Sequence, residues 1–255
     1  MTTLQMIALV CPLIFFASFV DAIAGGGGLI SLPAYMMTGM PTHLALGTNK
    51  FSACIGTSFS VYRFAKSKTL HLKVALLSAS FALIGSYCGA QLVLLIDARI
   101  MKILMTFLLP ILAIIILFKN KKQIATHSYT INSSWRTIFL SSIIGFMIGM
   151  YDGFIGPGTG TFLILAYTTF MGFDFVTASG NAKIVNFASN FSALVVFLQA
   201  DQVLFTIAIP ATICSIAGAW VGSGLAIKKG AKFIRPVLLG VLSILFMKML
   251  YDVLL

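Results

Sequence analysis

Apolar runs long enough to cross a bilayer recur along the whole chain, and they leave few architectures open. A run of about 18 residues or more reads as a membrane-spanning helix. Eight segments fit: 4–23, 46–64, 74–96, 100–118, 137–155, 175–198, 203–227 and 234–254. Two shorter runs, 29–38 and 161–171, reach only about halfway through a hydrocarbon core of about 30 Å at about 1.5 Å per residue. They are expected as half-helices, re-entrant segments or short tilted spans. Lipid offers the backbone no hydrogen-bond partner, so the spans must be helical. The expected class is therefore all-α: a polytopic membrane protein with eight full spans and two short segments.

Composition agrees. Of 255 residues 59% are hydrophobic and 9% charged, with a mean hydropathy of +1.04. An ordinary water-soluble enzyme, a coiled coil or a disordered chain needs far more charge. Lys and Arg number 17 against 6 acids, giving +11, and every acid is Asp. The basic residues sit at the edges of apolar runs, as cytoplasmic anchors do. They form no stripe interleaved with aromatics, so nucleic acid is not an expected partner. The bilayer of the cytoplasmic membrane is one. Cys11, Cys54, Cys88 and Cys214 lie in apolar segments without a CxxC pair, as small packing residues do. His43, His71 and His127 are far apart. Neither a metal nor a cofactor is expected.

The first segment imitates a secretory leader, with an apolar core and Ala22-Ile23-Ala24 before the glycines. No Lys or Arg precedes residue 50, however, so the basic n-region of a leader is missing. The segment also has a counterpart later in the chain, and it reads as a span. Residues 20–60 recur, diverged, at 151–193. Asp21 and the run Gly25, Gly26, Gly27, Gly28 face Asp152 and Gly156-Pro157-Gly158-Thr159-Gly160. Gly47-Thr48-Asn49-Lys50 faces Gly180-Asn181-Ala182-Lys183. The offset is 131 at the Asp (152 less 21) and 133 at the Lys (183 less 50), which places a two-residue insertion around the second glycine run. Two homologous halves follow, with bounds of 1–118 and 136–255 around a basic cytoplasmic linker, 119–135.

Charge orients the halves. After its lysine-bearing helix the first half carries Arg63, Lys66, Lys68 and Lys73, where the second has Gln199, Ala200, Asp201 and Gln202. One connection later the bias reverses. Asp97, Arg99 and Lys102 face Lys228, Lys229, Lys232 and Arg235. Equivalent loops of opposite positive bias lie on opposite sides of a membrane, the mark of inverted-topology repeats. Both termini are then outside.

The glycine runs break their helices, since glycine costs roughly 1 kcal/mol inside a helix and Pro157 removes a donor. A short segment starting after each break presents free N–H groups and a positive dipole end inside the bilayer. Paired broken helices of this kind build midplane anion sites in inverted-repeat transporters. A tight crossing of small residues is the alternative. Lys50 is expected a turn or two into its helix and Lys183 about nine residues in. Burying a Lys at mid-membrane costs at least about 2.5–3.5 kcal/mol, so each has a function or a partner. Lys183, Asn186 and Asn190 share one helical face, and Lys50, Ala53 and Thr57 are their counterparts. Asp21 and Asp152 are proton carriers, the ion-pair partners of the lysines, or caps of the nearby half-helices.

At these residues the chain resembles the TauE/SafE family of membrane permeases. The resemblance rests on the Asp-then-glycine opening, Thr48-Asn49-Lys50, and the ordered set Asp152, Gly156, Gly158, Thr159, Gly160, Asn181, Lys183, Asn186 and Asn190. It covers nearly the whole chain. It implies transport of a small sulfur-containing anion, such as sulfite or a sulfonate, without fixing ligand or direction. The expected function is a secondary transporter for a small anion, sulfur-containing or a carboxylate, working by alternating access, with the glycine runs, Thr48, Asn49, both lysines, Thr159, Asn181, Asn186 and Asn190 as candidate binding residues. An anion channel built on the same site is the alternative. An intramembrane enzyme is the remoter one, because no HExxH, GxSxG or Walker A pattern is present. A homo-oligomer is left open.

Overall fold

The computed structural model describes residues 1–97, 100, 135–230, 232–234 and 236–237. The expected spans 100–118 and 234–254, apart from their first few residues, and the expected linker 119–135, apart from Trp135, lie outside the described residues. The rest is helical, with no strand among the described residues. A first group comprises α1 (Thr3–Ala24), α2 (Gly28–Met36), α3 (Thr42–Lys66) and α4 (Leu72–Leu94). A second comprises α5 (Trp135–Phe154), α6 (Thr159–Phe170), α7 (Phe175–Gln199) and α8 (Phe205–Lys229). Each runs long, short, long, long.

Local chemistry sets the ends. Thr2 caps α1 through a capping box with Gln5, so two N-terminal donors are satisfied at once. Gly25, at φ +78°, closes α1 with a left-handed residue whose N–H bonds the Asp21 carbonyl at 2.8 Å. Asp174 caps α7 by accepting from the N–H groups of Val176 and Thr177.

Among the described residues five helices (α1, α4, α5, α7 and α8) are long and apolar enough to cross a membrane. The chain is thus an all-α, multi-pass membrane protein. The expected span 46–64 is a 25-residue helix, α3, but a more polar one. It survives because it is enclosed, with Thr48, Asn49, Lys50, Ser52, Thr57 and Ser60 all buried between α7 and α8.

Two expectations need correction. Lys50 is as deep in its helix as Lys183, not nearer the end. Lys50 follows Thr42, the first residue of α3, by eight residues, and Lys183 follows Phe175, the first of α7, by the same eight. Polar Thr42 and His43 hid the first turn of α3 from a reading based on apolar runs. The two-residue insertion also lies further on. The offset is still 131 where the short helices begin (159 less 28), and becomes 133 where the next helices begin (175 less 42). The short helix α6 has 12 residues against 9 in α2, and the connection after it has four (171–174) against five (37–41), which leaves the net two.

Packing is reciprocal. Helix α4 lies against α5 and α7, while α8 lies against α1 and α3. Small residues make the closest crossings. A Cβ on Gly85 or Gly89 of α4 would strike the backbone of α5, and one on Gly145 or Gly153 of α5 the backbone of α4. Gly218 and Gly222 of α8 meet the Phe15 and Phe19 carbonyls of α1 in the same way. Between lipid-facing helices such close backbone approach, rather than a hydrophobic drive, supplies the attraction.

Candidate functional site

The two broken helices meet. The Thr161 N–H donates to the Gly25 carbonyl at 3.3 Å, and its hydroxyl to the Ala24 carbonyl at 2.9 Å. A Cβ on Gly25 would overlap the Gly160 backbone, one on Gly160 would overlap Gly25, and one on Gly28 would press on Pro157. The glycines therefore do both things the sequence suggested. They end the helices, and they let two breaks cross in contact. Gly156 and Gly158, at φ +93° and +86°, turn the chain from α5 into α6 through left-handed conformations that a side chain would strain.

Each lysine reaches across to the acid of the other half. Lys183 Nζ donates to Asp21 Oδ2 at 2.7 Å and also to the Asp21 carbonyl. Lys50 Nζ stands 2.9 Å from Asp152 Oδ2 and donates to the Asp152 carbonyl at 2.6 Å. The contact with Asp152 Oδ2 is one of charge only, because that oxygen accepts no well-aligned hydrogen bond. Both lysines are buried, at 2% and 0% exposure. A buried charge is tolerated only when paired, and these pairs satisfy that condition. The acids also serve the short helices. Asp21 Oδ1 accepts from the Gly27 N–H at 3.3 Å, before α2. The Thr159 proton, at the start of α6, is shared between Asp152 Oδ1 at 2.8 Å and the Gly156 carbonyl at 2.6 Å. Carboxylates thus already stand at the positive ends of both half-helices.

Between the breaks lies a polar cavity with about 50 Å³ open to the centres of water-sized molecules. That is room for a few waters or one small polyatomic ion. Of the candidate residues, Asp21, Gly25, Gly27, Gly28, Asn49, Lys50, Asp152, Gly156, Thr159, Gly160, Asn186 and Asn190 line it. Gly26, Thr48, Gly158, Asn181 and Lys183 do not. Lys183 is sealed behind Asp21. Thr48 Oγ1 accepts from the Leu204 N–H at 3.0 Å, at the start of α8. Asn181 Oδ1 accepts from the His71 N–H at 3.0 Å, at the start of α4. The two do the same job in opposite directions, each holding the first turn of a helix in the other half.

Other lining residues escaped the sequence reading: Ser18, Ser31, Ser52, Gly56, Ser60 and Ser215. A signal was present. Asn49, Ser52, Ala53, Gly56, Thr57 and Ser60 recur at three- and four-residue steps, so small and polar side chains share one face of α3. Ser18 and Ser215 hydrogen-bond each other at 2.7 Å across α1 and α8. Asn190 Nδ2 donates to the carbonyl and side-chain oxygens of Asn186, both at 2.7 Å. Buried Asn49 Oδ1 has no partner, and an unpartnered buried amide is costly unless something else fills the space. Among the described residues no group of three His, Cys, Asp or Glu is placed to hold a metal.

Residues 10–249 match the family model described as "Sulfite exporter TauE/SafE". A "Probable membrane transporter protein" of Haemophilus influenzae is 35% identical over 249 residues, covering 98% of this chain and 96% of its own. "Probable membrane transporter protein ORF9" of a Sinorhizobium species is 36% identical, covering 93% and 90%. "Probable membrane transporter protein YfcA" of Escherichia coli K12 is 33% identical, covering 99% and 95%. These are names of transporters rather than of enzymes. No solved structure matches the chain. With a family match that runs through both broken helices and both ion pairs, the chain belongs to the TauE/SafE family of membrane transporters.

Proposed function

We propose that the protein is a secondary transporter for a small anion of the sulfite or sulfonate class, and that the cavity between the two glycine breaks is its binding site. The observation that carries this reading is Lys50. Lys50 lines the cavity while buried to 2% exposure, and its ammonium carries three donors. Hydroxyls and amides share the lining with it: Ser18, Ser52, Thr57, Asn49, Asn186 and Asn190. The size of the cavity favours a compact oxyanion over a bulky one. Glycine backbones from both breaks complete the wall, where amide N–H groups can meet oxyanion oxygens.

In this reading the halves, 1–118 and 136–255, are inverted repeats joined by a cytoplasmic linker, 119–135, in a chain of eight full spans and two short ones. The repeated helix order, the reciprocal packing and the crossed Lys–Asp pairs support it. So does the reversal of positive charge between equivalent loops. Alternating access then consists of one half rocking against the other around the crossed breaks.

Purified protein in liposomes, tested with labelled sulfite, methanesulfonate, sulfoacetate and acetate, is the test. Saturable flux and counterflow of at least one of these anions is expected. Absence of flux for all four, with no ligand-induced rise in melting temperature, refutes the reading. Large unitary conductance in planar bilayers would replace the carrier with a channel.

A further inference from the structure

The two crossed ion pairs are related by sequence but not equal in position. Lys50 lines the cavity; Lys183 does not. Lys183 is fully buried, and Asp21 is the acid it reaches. Protonating Asp21 would strand an ammonium away from water and from any ligand, which is strongly unfavourable. Protonating Asp152 strands nothing, provided that an anion takes over Lys50.

The charges around the cavity favour that exchange. Its lining carries Lys50 from α3, Asp21 from α1 and Asp152 from α5. Helices α6, α7 and α8 line it only with uncharged residues, including Thr159, Asn186, Asn190 and Ser215, and α2 likewise with Gly28 and Ser31. Counting Lys183 behind Asp21, the site is neutral when empty. An added anion would share the lining with two carboxylates. Like charges at 4 Å repel by about 4 kcal/mol even at an effective dielectric constant of about 20. Lys50 attracts the same anion, but the added charge takes the site from neutral to −1, and one proton on a carboxylate restores the balance.

Resting on the anion reading above, we infer that Lys50–Asp152 is an exchangeable pair and Lys183–Asp21 a fixed one. A bound anion replaces Asp152 as the counter-ion of Lys50, and Asp152 takes one proton from water in the cavity. The geometry names the atom. Asp152 Oδ1 already accepts from Thr159, while Oδ2, 2.9 Å from Lys50 Nζ and without an aligned hydrogen bond, is the oxygen left bare when Lys50 turns to the anion, and it gains the proton. The Asp152 carboxylate becomes a carboxylic acid, and Lys50 keeps its charge and turns to the ligand. Anion and proton thus enter together, and anion affinity falls as pH rises.

The test is calorimetric titration of methanesulfonate, which stays a monoanion at working pH, into the full chain in buffers of different ionisation enthalpy. Uptake of about one proton per anion is expected for the wild type. Asp152→Asn should bind methanesulfonate with uptake near zero. Lys50→Gln combined with Asp152→Asn should bind at least about tenfold more weakly. Asp21→Asn combined with Lys183→Gln should keep the wild-type proton count. Binding without proton uptake in the wild type, or undiminished uptake in Asp152→Asn, overturns the inference and leaves the anion reading standing. Loss of uptake in a folded Asp21/Lys183 variant overturns the assignment of the fixed pair. If that variant unfolds, wild type against Asp152→Asn still decides. Absence of binding by both methanesulfonate and sulfite refutes the anion reading and this inference with it.

Discussion

Lys50 in the first half and Asp152 in the second pair across the molecule, Nζ to Oδ2 at 2.9 Å, and Lys183 and Asp21 repeat the pairing in reverse at 2.7 Å. Each pair ties a long, enclosed helix to the end of a broken one. The ion pairs therefore hold the halves together at the level where the chain is least regular. A conformational change that moved one half against the other would have to pivot on them or part them.

Removing one member of a pair should cost more than removing both. Lys50→Met leaves the Asp152 carboxylate buried without a counter-charge, a loss of about 3–5 kcal/mol. Adding Asp152→Asn should recover most of it. Unfolding in detergent of the wild type, the two single variants and the double variant closes the cycle. Additive losses would mean that the pair contributes nothing as a pair.

The crossing of the breaks predicts a graded glycine series. Gly39, at φ +86°, has nothing within 4 Å of a Cβ position, so Gly39→Ala should cost only the left-handed strain of about 1 kcal/mol. Gly25, at φ +78°, meets the Gly160 backbone as well, and Gly25→Ala should cost about 1–3 kcal/mol more through overpacking. Melting temperatures of the two variants give the comparison. Equal losses would show that the breaks do not touch.

Thr48 and Asn181 should behave as helix-start residues rather than ligands. Thr48→Val and Asn181→Leu each remove a side-chain acceptor from a backbone N–H, with a loss of about 1 kcal/mol of stability. Anion affinity should change by less than about twofold, since neither residue lines the cavity. Asn186→Leu, at the cavity wall, should weaken binding clearly more. Cys54→Ala and Cys88→Ala should leave binding unchanged. A large affinity loss in Thr48→Val with normal stability would return Thr48 to the binding set.

Much of this was legible in the sequence, for physical reasons. The six expected spans that fall within the described residues match helices within a few residues at each end, because lipid demands continuous apolar helices and leaves a strong pattern. The breaks at Gly25 and Gly156 were legible because four glycines, or glycine flanking proline, cannot continue a helix. Less legible was anything set by tertiary contact. The choice of Asp152 for Lys50, and of Asp21 for Lys183, depends on how the halves cross. The polar face of α3 was written in the three- and four-residue steps from Asn49 to Ser60, but its enclosure by α7 and α8 was not. Nor did Thr48 and Asn181 announce that their partners are the backbone N–H groups of Leu204 and His71, 156 and 110 residues away in sequence.

The most direct test of the central claim is to locate the anion. Selenite, a heavier analogue of sulfite, scatters anomalously at the selenium edge, and crystals of the protein soaked in it would mark the site. An anomalous peak is expected between the two glycine breaks, within hydrogen-bond reach of Lys50 Nζ and beside Asn49 or Asn186. A protein that binds selenite in solution but shows its selenium elsewhere, with the cavity at Lys50 empty, would contradict the account.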